Sequence, residues 1–75
     1  MTAIAEGIVI DPGLRGGKPC VMDTRVTVQE VLHWLAIGMT PEEIVDDFPY
    51  LSPEKIRQVL AYAAASAGRY MILAA

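Results

Sequence analysis

The sequence predicts a mainly α domain, with a short N-terminal β-arm followed by a three-helix bundle containing a helix-turn-helix. Two helix-start signals carry most of that prediction: Thr40-Pro41-Glu42-Glu43 and Ser52-Pro53-Glu54-Lys55, twelve residues apart. In each, a hydroxyl residue can cap backbone N–H groups that lack a helical partner. Proline at the first helical position already has helical φ and lacks only a donor that would be orphaned anyway. Glu43, three residues after Thr40, completes a capping box, whereas Lys55 breaks that pattern in the second copy. A short helix, a tight turn around Phe48-Pro49-Tyr50-Leu51 and a longer helix therefore follow one another.

The β-arm comes first. Gly7-Ile8-Val9-Ile10 is a short β-branched run stopped by the turn signal Asp11-Pro12-Gly13. Residues 14–19 are loop by composition, and Cys20-Val21-Met22 can form a second short strand before Asp23-Thr24 turns the chain. Such a hairpin is marginal alone and needs the helices or a second subunit. Thr27 then caps a helix over 28–37, ended by Gly38. Its Val28, Val31, Leu32 and Leu35 share one face at i, i+3, i+4, i+7. The second helix runs from Pro41 to about Phe48 and buries Ile44, Val45 and Phe48. The third is expected over Pro53–Ala67, with Ile56, Val59, Leu60 and Ala63 inward and Glu54, Arg57, Gln58, Ala61 and Ala65 outward. Gly68 is expected to break it, leaving residues 68–75 as an apolar tail on a single domain.

With 75 residues the core is small, yet 53% of the residues are hydrophobic. A domain of this size buries only about 60% of the surface of its unfolded chain. Association is therefore expected, and a homodimer is the simplest form of it. The net charge of −3 argues against a non-specific nucleic-acid binder. Its distribution is uneven: residues 27–51 carry five acids and no Lys or Arg, while 7–26 and 52–75 are mildly basic. That suits a basic partner for the middle and a weakly held anionic one for the ends. Residues 1–6 lack the features of a signal peptide, and no apolar run approaches the roughly 20 residues needed to cross a bilayer. The expectation is a cytoplasmic protein with no membrane partner.

Catalytic and cofactor readings find little support. Gly16-Gly17-Lys18 fails as a phosphate loop, because Pro12 and Pro19 occupy positions that need glycine and Ser or Thr. Cys20 and His33 are each the sole residue of their type, too few for a disulfide or a zinc site. Cys20 reads as a small hydrophobe in a strand. No catalytic residue, metal or cofactor is expected.

Two surfaces remain. Lys55, Arg57, Gln58 and Ala61 on the third helix are candidate DNA contacts. Arginine pairs with guanine and glutamine with adenine, alanine permits close approach, and lysine can reach phosphate. Against this, Glu54 stands where such a helix enters the groove, and two cations suffice only in a dimer. Glu42, Glu43, Asp46 and Asp47 form an acidic helix face, either simply solvated or a docking surface for a basic partner. Tyr70, Met71, Ile72 and Leu73 in the tail either strap the domain's own Trp34 and Ile37 or dock on another protein.

The order of motifs is specific. Ile8-Val-Ile-Asp-Pro12, Gly16-Gly-Lys-Pro-Cys-Val21, Thr24-Arg-Val-Thr-Val28, the run from Leu35 to Ile44 and that from Phe48 to Ile56 resemble the domain-of-unknown-function family four-thirty-three. The resemblance covers about residues 7–65. It implies a homeodomain-like three-helix fold behind a short β-arm, and an antitoxin-like role beside a PIN-like ribonuclease toxin. The family has Arg-Gly-Thr-Arg where this chain has Met22-Asp23-Thr24-Arg25, so only Thr24 and Arg25 carry over. It supplies no catalytic residue to transfer. The expected function is an antitoxin that covers a basic RNA-cleaving site and also binds its own operator DNA. The alternatives are a stand-alone helix-turn-helix DNA-binding regulator and a protein-interaction module that binds no DNA.

Overall fold

A computed structural model describes the backbone of residues 1–74 and the side chains of residues 1–68. Three strands come first, β1 (Thr2–Ala5), β2 (Ile8–Ile10) and β3 (Cys20–Val21). The helices α1 (Val28–Ala36), α2 (Pro41–Asp47) and α3 (Pro53–Ala74) follow. The strands form one antiparallel sheet in the order β1-β2-β3. The architecture is therefore mixed α/β, three helices on a small sheet, where the sequence predicts a mainly α chain with a two-stranded arm. The addition is β1, which pairs Thr2 with Ile10 and Ala3 with Val9 before a register shift at Ile4. Glu6-Gly7 makes the tight turn, with Gly7 at φ +76°, a conformation that glycine adopts without steric cost.

The sheet feeds directly into α1. Cys20 bridges Thr27, and Val21 N–H donates to the Val26 carbonyl at 2.9 Å. Thr27 then caps α1 in a capping box with Glu30, which receives the Thr27 N–H at 2.9 Å. Thr40 and Glu43 repeat the device at α2. Ser52 accepts the Lys55 N–H at 3.3 Å at the start of α3. Both helix-start signals of the sequence thus form as expected, and Gly38 at φ +103° follows the end of α1.

One core unites sheet and helices: Ile8, Val21, Val26, Val28, Val31, Ile44, Leu51, Ile56 and Val59. Ile44 and Leu51 are fully buried, and burial of such a side chain stabilises by about 1.5–3 kcal/mol. Leu51 comes from the α2–α3 connection, so that loop is anchored by its own side chain. The α3 stripe is rotated from the expected one. Leu60 is 43% exposed, while Tyr62 packs against the core. The direction of burial on α3 lies between Val59 and Tyr62, which leaves Leu60 on the shoulder.

Helix α3 does not break at Gly68 but continues to Ala74. Glycine ends a helix by adopting positive φ, and Gly68 is not among the residues that do. With alanine before it and no proline after it, Gly68 costs only about 1 kcal/mol as a helical residue. No helix of the described residues is long and apolar enough to cross a membrane.

Candidate functional site

The four candidate DNA contacts on α3 do not present one free face. Lys55 is half-buried, and its Nζ donates to the Met22 carbonyl at 3.0 Å. Met22 N–H in turn donates to the Gly7 carbonyl at 2.8 Å, so the Lys55 cation closes a chain of bonds at the end of the sheet. Gln58 lies under the β1–β2 turn, its Nε2 donating to Glu6 Oε1 at 3.4 Å. A Cβ on Gly7 would meet the Gln58 amide. Arg57 is exposed and donates to Glu54 in an i, i+3 ion pair. Ala61 is exposed. Of the two cations, one is thus held by the sheet and the other by a carboxylate on its own helix.

The arm's cations are also partly engaged. Arg15 Nη1 donates to the Arg25 carbonyl at 2.7 Å and to Glu30 Oε1 at 2.8 Å. Glu30 also receives the backbone N–H of Thr27, and these partners hold its carboxyl below the usual value, the backbone bond most of all. Lys18 and Arg25 are exposed, and neither forms an ion pair among the described residues. Cys20 is buried in β3 with its thiol donating to the Lys18 carbonyl at 3.3 Å. Burial pushes its pKa up, which fits a small core residue and not a nucleophile.

Helix α2 is different. Glu42, Glu43, Asp46 and Asp47 are all exposed, and neither ion pair among the described residues involves them. Glu43 completes the cap of its own helix, its Oε1 accepting the Thr40 N–H at 2.9 Å. Glu42 and Glu43 sit at the positive end of the helix dipole. Asp46 and Asp47 sit in the last turn, at its negative end, and no basic residue accompanies them there. Carboxylates in that position destabilise a helix.

Just beyond stands an aromatic ladder. Trp34 and Phe48 stack with centroids 4.8 Å apart, and Tyr50 meets Phe48 edge-on at 6.1 Å. Trp34 thus takes its cover from Phe48, while Tyr50, three residues after Asp47, is 54% exposed. Tyrosine is among the residues enriched in protein interfaces. In the sequence Tyr50 reads only as part of a turn. Its exposure follows from Leu51 being the residue that plugs the core, which composition alone does not reveal. Tyr70, Met71, Ile72 and Leu73 belong to the backbone of α3, and their side chains lie outside the described residues. No group of His, Cys, Asp and Glu that could hold a metal ion occurs among the described residues.

Residues 8–63 match the family described as "Protein of unknown function (DUF433)". The chain is 36% identical over 66 residues to the uncharacterized protein y4eO of Sinorhizobium fredii (strain NBRC 101917 / NGR234), a match covering 88% of this chain and 30% of that protein. A crystal structure of a DUF433 member from Anabaena variabilis ATCC 29413 superimposes with a TM-score of 0.76. It is 24% identical, over 84% of this chain and 62% of that one. The chain therefore spans about a third of the curated relative and under two thirds of the crystallised one. The structural likeness carries the fold alone.

Proposed function

This chain belongs to the DUF433 family, and we propose that it is a protein-binding domain of the antitoxin kind, with α2 as its docking face. The partner is a PIN-like ribonuclease whose RNA-cleaving groove is basic because its substrate is a polyanion. Glu42, Asp46 and Asp47 enter that groove in place of RNA phosphate, and Tyr50 adds an aromatic anchor at its edge. The observation that carries this reading is the state of Asp46 and Asp47: exposed, unpaired among the described residues and set at the wrong end of a helix dipole. They cost the isolated fold stability, and a cationic partner offsets that cost.

Operator binding through a helix-turn-helix is the second reading. The order of α2 and α3 and the exposure of Arg57 and Ala61 favour it. It requires Lys55 to leave the Met22 carbonyl and Gln58 to leave the β1–β2 turn, so it ranks below protein binding. The test is co-expression with the product of the adjacent reading frame. Neutralisation of a ribonuclease there, lost on replacing Asp46 and Asp47 by asparagine, supports the docking face. A neighbour without ribonuclease activity, together with tight binding of the upstream DNA by this chain alone, supports the operator reading instead.

A further inference from the structure

We infer that two copies of this chain associate through the outer edge of β1 and the adjoining groove against α3, joining their sheets into one. Strand β1 is an edge strand: β2 covers one side, and among the described residues no strand faces the other. Natural edge strands are guarded by lysine, proline or inward charges, by bulges or by shortness. Thr2-Ala3-Ile4-Ala5 has no charge or proline, and its only guards are its four-residue length and the register shift at Ile4. Beside it runs an open groove of about 610 Å³, walled by Ile4 and Ala5 on one side and Ala61, Tyr62 and Ala65 on the other. Ile4, at the register shift of β1, is 40% exposed there.

Charge selects the occupant. Residues 58–68 of α3 carry no charged side chain, and neither does β1. The groove's lining also includes Glu54 and Arg57, which pair with each other, and Glu6, whose only partner among the described residues is the neutral amide of Gln58. With one acid beyond the Glu54–Arg57 pair, this surface offers nothing to a nucleic acid and little to a strongly basic protein. A second copy, itself at −3, needs a surface that brings few acids together, and among the described residues this groove has one acid without a cation. A two-fold axis beside β1 sets strand antiparallel to strand and α3 beside α3, with Ala61 and Ala65 permitting close approach.

The area is adequate for a modest complex. A standard interface takes about 800 Å² per partner, about a sixth of the 4953 Å² surface of one copy. About 24 Å of helix over residues 53–68, together with a four-residue edge, falls at the low end of that range.

Sedimentation equilibrium of the whole chain from about 1 to 100 µM tests this without any partner, so its outcome is separate from that of the antitoxin reading. The wild type should shift with concentration from 8.1 kDa to twice that mass. Ala65→Glu on the groove side of α3 and Ile4→Lys on β1 should each weaken association at least tenfold, with circular dichroism confirming folding. Asp46→Asn/Asp47→Asn should remain dimeric. If Ala65→Glu unfolds, Ile4→Lys, which leaves α3 untouched, decides. A monomeric wild type at 100 µM, or unchanged association in every folded variant, overturns the inference.

Discussion

A methyl group on Gly7 would overlap the side-chain amide of Gln58, so the β1–β2 turn rests directly on the face of α3 that a DNA groove would have to reach. The contact is intimate because Gly7 has positive φ and no Cβ. Gly7→Ala should destabilise the fold by about 1–2 kcal/mol, since alanine pays for the left-handed conformation. Gln58 is flexible and can swing aside, so adding Gln58→Ala should restore only a small part of that loss. Chemical denaturation of the two variants and their combination separates backbone strain from side-chain overlap.

Lys55 serves the fold before it can serve a ligand. Lys55→Met keeps the stem and removes the bond to the Met22 carbonyl, and should cost about 1 kcal/mol in thermal or chemical unfolding. Any affinity for duplex DNA should keep its salt dependence in this variant. A salt slope lowered by about one phosphate contact would show that Lys55 leaves Met22 to bind DNA.

The two capping boxes should differ in worth. Thr27 is buried, and its hydroxyl and N–H both meet Glu30. Thr40 is exposed. Thr27→Ala should therefore cost about 2 kcal/mol and Thr40→Ala about 0.5–1 kcal/mol, both read from denaturation midpoints.

Glu30 should also make stability depend on acid. Its ordinary pKa of 4.5 is lowered in the fold by the Thr27 N–H, with Arg15 adding to the effect. Its contribution is therefore present above 4.5 and disappears as pH falls through the lower folded value. Glu30→Gln should give a shallower loss of stability between neutral and acid pH. An unchanged acid profile would show that Glu30 bears no part of it.

Much of the scaffold was legible in the sequence because caps and periodicity are local signals. Thr27, Thr40, Ser52 and Gly38 each act within a few residues of themselves, and each stands where it was expected. Strand β1 is not legible, because four residues of Thr, Ala and Ile are too short to declare a strand. The continuation of α3 through Gly68 is not legible either, because glycine ends a helix by adopting positive φ, and nothing in its neighbours demands that. At the candidate sites, the acidic face of α2 was readable, since four acids on seven residues cannot be hidden. The engagement of Lys55 and Gln58 was not, because their partners Met22 and Glu6 lie 33 and 52 residues away.

The docking face makes the most direct claim, because it assigns opposite signs to two measurements on one variant. Asp46→Asn/Asp47→Asn removes two carboxylates from the negative end of α2. It should raise the stability of the isolated chain by about 0.3–1 kcal/mol per site at low salt. Titrated against the ribonuclease of the adjacent reading frame, the same variant should lose at least tenfold in affinity and in inhibition of RNA cleavage. A more stable variant that binds and inhibits less is the result this account predicts. A variant that inhibits the ribonuclease as tightly as the wild type would contradict it.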